Sequence, residues 1–163
     1  MMIHICKANF THVQGISKVC SDANWATYRD IYPKDYLESI IREFYNPDRI
    51  LKEVSSSTKG WGGYFVALEN DTVIGAGAGG MISDTSGEIY VLYLSPDRRN
   101  EGIGSLLLDA ITKQQKEFHA TEQWISVQKG NQKGIPFYEA KGFTLQYEEN
   151  TDGYISLRYK RQI

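Results

Sequence analysis

Glu88-Ile89-Tyr90-Val91-Leu92-Tyr93-Leu94 leads through Ser95-Pro96-Asp97-Arg98 into Arg99-Asn100-Glu101-Gly102-Ile103-Gly104. The first seven residues are rich in β-branched and aromatic side chains and read as a strand. From about Gly102 to Phe118, Ile103, Leu107, Ala110, Ile111 and Phe118 recur at helical spacing and predict an amphipathic helix. A second strand follows at Trp124 to Val127. Strand, tight glycine turn, helix and strand imply a locally parallel pair joined by a right-handed crossover.

Upstream, Tyr64 to Leu68 and Val73 to Met81 read as strands set off by Glu69-Asn70-Asp71 and by Ser83-Asp84-Thr85-Ser86-Gly87, so an antiparallel meander precedes the parallel pair. Ile3 and Ile5 alternate with His4 and Cys6 as a first strand would. Thr11 to Val54 reads as two or three helices punctuated by Pro33, and Ser55 to Gly60 as a mobile loop. Downstream come a short helix around Pro136 to Ala140 and closing strands at Thr144 to Tyr147 and Tyr154 to Lys160. The fold class is α+β (mixed α/β), with residues 1–163 as a single domain.

With 163 residues, 41% of them hydrophobic and 23% charged, the chain has the proportions of a globular domain. A chain of this length buries roughly 70% of its unfolded surface and needs neither metal nor disulfides to fold. Cys6 and Cys20 form no framework, and with no secretory leader in view they read as reduced thiols of a cytoplasmic protein. A net charge of −2 supplies no basic field for phosphates, which argues against a dedicated nucleic-acid binder. The longest apolar run, Val73 to Ile82, is too short to cross a bilayer. His4, His12 and His119 have no spacing with Cys, Asp or Glu that would build a metal site.

Chemistry concentrates at the glycine turn. A helix start carries unpaired N–H groups and partial positive charge; Gly102 and Gly104 let an anion approach the backbone, and Arg99 adds a side-chain charge. Taken alone, such a turn serves equally as a helix cap. Gly75-Ala76-Gly77-Ala78-Gly79-Gly80 lacks the Lys and Ser/Thr of a phosphate loop and no helix follows it. We read it as a strand whose missing side chains make room for a neighbouring helix or an acceptor.

A second motif joins the first: Asn131, followed after seven positions by Tyr138-Glu139-Ala140-Lys141-Gly142-Phe143. Together they resemble the GCN5-related N-acetyltransferases (GNAT), with Leu94-Ser95-Pro96 departing from the family's usual Val before the x-Pro step. The resemblance implies a mixed, mostly antiparallel sheet flanked by helices, with the parallel strands splayed around acetyl-CoA. The positions matching Leu92, Tyr93 and Leu94 would bond the pantetheine arm through their backbone. Those matching Arg99, Asn100, Glu101, Gly102, Ile103, Gly104 and Ser105 would hold the pyrophosphate, and Asn131 either contacts the cofactor or caps a helix. Tyr138 matches the general acid, or alternatively a packing residue against the sulfur. Glu88 is the chosen general base, with Asp30, Asp35 and a water chain as rivals.

The segment Trp25-Ala26-Thr27-Tyr28 with Ile31-Tyr32-Pro33 is similar to that of bacterial polyamine-type members. Trp25, Tyr28 and Tyr32, near Asp22, Asp30 and Asp35, are therefore the acceptor candidates, the competing reading being that these aromatics are core. The expected activity is transfer of an acetyl group to a small-molecule primary amine. The alternative is a non-catalytic acyl-CoA-binding module, and a homodimer is what family likeness alone would bring.

Overall fold

The computed structural model of the chain describes residues 2–163. Strand β1 (His4–Lys7) is followed by α1 (Val13–Tyr28), α2 (Lys34–Phe44) and α3 (Pro47–Val54). Then come β2 (Tyr64–Glu69), β3 (Thr72–Met81), β4 (Ser86–Leu94), α4 (Ile103–Glu117), β5 (Glu122–Gln128), α5 (Gly134–Ala140), β6 (Thr144–Thr151) and β7 (Tyr154–Gln162). The seven strands make one sheet in the order β1-β2-β3-β4-β5-β7-β6, in which β4 and β5 are parallel and every other pair is antiparallel. The expected mixed, mostly antiparallel sheet with one parallel pair is present.

The alternating glycines and alanines of β3 sort the two faces. Ala76 and Ala78 pack into a core with Ile16, Val19 and Cys20 of α1. Gly75, Gly77 and Gly79 face α4: a Cβ on Gly75 would lie 3.0 Å from Leu107, and one on Gly77 3.1 Å from Ile111. At Gly79 it would lie 2.5 Å from the Glu88 carbonyl and 2.7 Å from Gln115. The glycine run is thus a strand relieved of side chains so that a helix can approach, one of the two uses its sequence left open. A mid-strand Gly→Ala change ordinarily gains entropy. At Gly79 the sign reverses, and Gly79→Ala is expected to destabilise by about 2–3 kcal/mol, read as a melting point lower by roughly 5–10 °C.

On α4 the buried residues are Ile103, Gly104, Leu107, Leu108, Ile111 and Gln115, while Ala110 and, just past the helix end, Phe118 are only half-buried. Gln115 escaped the apolar period because it is polar, yet it is fully buried. Its Nε2 donates to the Glu88 carbonyl at 2.9 Å and its Oε1 accepts from Gln123 at 3.0 Å, so burial leaves neither end unpaired. The segment Ser55 to Gly60 is exposed, as its composition predicts, but it is strapped to the sheet: Met81 N–H donates to the Lys59 carbonyl and Gly62 N–H to that of Gly79, both at 2.8 Å. β6 runs to Thr151, beyond the expected end at Tyr147, because an edge strand exposed at every residue has no alternation to reveal it. Cys6 and Cys20 are free, and among the described residues no helix is long and apolar enough to cross a membrane.

Two irregularities position the site. β4 and β5 pair only from Ser86–Ile89 to Glu122–Ile125. Beyond that, β4 stays with β3 and β5 with β7, so the parallel strands part. Between Ala78↔Val91 and Gly79↔Ile89 the register shifts, leaving Tyr90 as the extra residue of a bulge.

Candidate functional site

The parting of β4 and β5 opens a cleft through the sheet. One wall is Leu92, Tyr93 and Leu94 of β4; the other is Ile125, Ser126 and Val127 of β5. Ala23, Ala26, Thr27 and Tyr28 at the end of α1 line the cleft as well, with Tyr90. Pro96, Arg99, Gly104, Asn131, Lys133, Gly134, Phe137 and Tyr138 complete the lining. A diverging strand pair presents backbone groups with no ladder partner, and buried groups of that kind need one.

Gly102 is the N-cap of α4, with φ +81° and no side chain capping the helix. The amide of Leu106 is the first to bond back, to the Gly102 carbonyl at 3.2 Å. The preceding amides of the first turn therefore remain available to a partner outside the helix. A Cβ on Gly102 would meet nothing within 4 Å, whereas one on Gly104 would press on the Phe137 ring at 3.3 Å. The turn also holds Asn100 at φ +64°, a conformation Asn tolerates better than most residues. Ile103 is buried among Ala67, Ile74 and Leu107 and anchors the turn to the core. Ser105 is half-buried in the first turn of α4.

Arg98, which the sequence reading passed over, ties this turn down. Its guanidinium reaches the two carboxylate oxygens of Glu69 at 2.8 and 2.7 Å and both oxygens of Glu101 at 2.9 Å. Glu101 thus faces Arg98 rather than the cleft, and exposed Arg99 joins Lys133 as a basic side chain on the cleft wall. Arg98 holds the carboxyls of Glu69 and Glu101 below their usual range. Because the folded values lie under the unfolded ones, the tie is at full strength above about pH 5 and weakens as pH falls through the carboxylate range. Arg98→Ala is expected to raise the apparent dissociation constant for an anion held by this turn about fivefold while leaving turnover nearly unchanged, measurable by calorimetry and steady-state kinetics.

Tyr138 lies on α5 at 8% exposure, edge-on to Phe137 (5.1 Å between centroids, 83°) and to Phe143 (5.5 Å, 79°). Burial, and secondarily the neighbouring Tyr28 phenol, push its hydroxyl above the ordinary tyrosine value. Tyr28 is itself pushed up by burial and by Tyr93, while a hydrogen bond from Asn131 acts the other way. Asn131 also caps α5, its Oδ1 accepting from Gly134 N–H at 2.8 Å and Lys133 N–H at 3.2 Å. Asn131 thus both bonds the amides that open α5 and lines the cleft.

Glu88 does not line the cleft. Its two oxygens accept from Arg158 at 2.9 Å each, and Arg158 also donates to Ser126 Oγ at 2.8 Å. The carboxylate belongs to the strand position two before Tyr90, the extra residue of the bulge. Of the aromatics proposed for the acceptor, Tyr28 lines the cleft and the other two do not. Tyr32 stacks on Tyr28 at 5.2 Å and donates to Gln128 Oε1 at 2.7 Å, pinning the α1–α2 connection to the end of β5. Trp25 is half-buried on α1, and Asp30 and Asp35 are exposed. Arg158, Ser126, Phe137 and Lys133 carried no local signal, since each takes its role from partners distant in sequence. Among the described residues no group of three or more His, Cys, Asp or Glu side chains is placed to hold a metal.

Residues 21–143 match the acetyltransferase (GNAT) family. The spermidine N(1)-acetyltransferase of Thermoplasma acidophilum is 29% identical over 161 residues, covering 98% of this chain and 99% of that one. An uncharacterized N-acetyltransferase of Bacillus subtilis, YuaI, is 33% identical over 157 residues, covering 91% of this chain and 84% of that one. Among solved structures, the PaiA N-acetyltransferase of T. acidophilum in complex with coenzyme A superposes with a TM-score of 0.88 at 28% identity, over 100% of both chains. Ard1 of Thermoplasma volcanium, at 18% identity and a TM-score of 0.72 over 100% of this chain and 99% of that one, shares the fold.

Proposed function

Because the chain belongs to the acetyltransferase (GNAT) family, we propose that it transfers an acetyl group from acetyl-CoA to the primary amine of a small, polyamine-like molecule within a ternary complex. The observation that carries this reading is the coincidence of three features on one cleft: parted strands, an uncapped glycine turn, and a buried tyrosine between them. The residues present fit the cofactor. A Cβ on Gly102 would point into empty space that a phosphate can take, and the first-turn amides of α4 have no internal acceptor. Arg99 and Lys133 add positive charge to the cleft lining. Leu92 to Leu94 would pair with the pantetheine arm as a strand does, through Asn131 to the α5 side.

Bound acetyl-CoA supplies the thioester carbonyl and a thiolate that must leave protonated. Tyr138 holds a proton at its Oη throughout the neutral range and stands on the cleft wall to release it to a departing sulfur. Glu88, whose carboxylate Arg158 fixes, takes up the amine's proton through water. Thiol release from acetyl-CoA across a panel of spermidine, simple diamines, amino sugars and peptide N-termini tests the reading. Release dependent on an aliphatic amine is expected; tight CoA binding with no acceptor-dependent release would instead make the chain a binding module.

A further inference from the structure

We propose that Trp61 and Tyr90 form the wall along which the acceptor's hydrocarbon chain lies, so that the preferred acceptor is a primary amine on an unbranched methylene chain; this rests on the acetyl-transfer reading above. Tyr90 lines the cleft, yet it is 40% exposed. Its ring lies nearly parallel to that of Trp61, at 13° and 6.1 Å between centroids. At that separation parallel rings are laterally offset, so Trp61, half-buried and just outside the cleft lining, extends the face of Tyr90 rather than closing a sandwich.

Separate devices hold this surface in place. The bulge re-aims Tyr90, so that Tyr90 and Val91 follow one another on the α1 side of the sheet. The Tyr90 hydroxyl donates to the Gly60 carbonyl at 3.1 Å, and Trp61 Nε1 donates to the Glu53 carbonyl at 3.0 Å. The strap carrying Trp61 crosses β3 where Gly80 has no side chain, since a Cβ there would lie 2.0 Å from the Gly60 carbonyl. Tyr90 is thus held at both its hydroxyl and its ring while staying exposed to the cleft. A flat apolar strip beside a carboxylate gains much if methylenes are to pack on it while an ammonium is led past Glu88 into the cleft.

The test is a series of linear monoamines of increasing length, with KM for amine and for acetyl-CoA measured separately. In the wild type each added methylene should lower the amine KM about threefold to fourfold until the strip is spanned. Tyr90→Ser should flatten that dependence and Tyr90→Phe should retain it, with the acetyl-CoA KM unchanged within about twofold. Trp61→Leu should flatten it too, but Trp61 also packs edge-on to Tyr64 at 5.3 Å, so the exposed Tyr90 carries the test if that variant fails to fold. An undiminished chain-length dependence in Tyr90→Ser would overturn the wall. Amine quenching of tryptophan fluorescence that is lost in Tyr90→Ser, without acetyl transfer in the wild type, would uphold the wall and overturn the acetyl-transfer reading.

Discussion

Tyr138→Phe is expected to lower kcat by about 10²-fold or more while leaving the dissociation constant for acetyl-CoA within about twofold of wild type. The substitution isolates the hydroxyl, because the ring's edge contacts with Phe137 and Phe143 survive it. Burial holds the phenol above its ordinary value, so the proton is in place across the neutral and mildly alkaline range. The same burial makes Tyr138 a reluctant acid, and its proton leaves only when a strong base, the departing thiolate, forms beside it. The wild-type kcat profile should therefore show no alkaline limb from Tyr138 up to about pH 10. If kcat in Tyr138→Phe stays within twofold across that range, the residue packs against the cofactor and donates nothing.

The elements that were legible in sequence are those whose chemistry is local. The start of α4 could be read from Gly102 and Gly104, and the sheet from strands punctuated by turn residues, because turn chemistry and period lie within a few positions of one another. What could not be read was set by long-range pairing. Arg98 and Arg99 are adjacent and chemically equivalent on paper, and Glu69 at the end of β2, across the fold, joins Glu101 in deciding which of them is spent on structure. Glu88 shows as a strand carboxylate, but its partner Arg158 lies on a strand two places away in the sheet. Tyr28 and Tyr32 share an aromatic-rich segment, yet α1 ends at Tyr28, and the turn beyond it sends Tyr32 to Gln128 instead of the cleft. Tyr90 reads as an ordinary β4 residue because a bulge leaves no mark in the strand that bears it. Its register follows from β3, where Gly79 and Gly80 yield to Gln115 on one side and to the Gly60 carbonyl on the other.

Gly102→Val should weaken acetyl-CoA binding at least about tenfold, and the conformation of the turn separates two causes. Open space around the missing Cβ would by itself make a side chain harmless to the empty protein. The backbone says otherwise, since φ is +81° and a β-branched residue there is strained by roughly 1–2 kcal/mol, a loss of about 2–8 °C in melting temperature. Gly102→Asn resolves the ambiguity, because Asn adopts left-handed geometry with little strain while still placing a Cβ and an amide where the phosphates would approach. Asn should thus recover most of the melting temperature that Val loses and leave the affinity low. Wild-type affinity in Gly102→Asn would mean that the diphosphate does not lie against this turn, and the contribution assigned to the first-turn amides of α4 would have to be withdrawn.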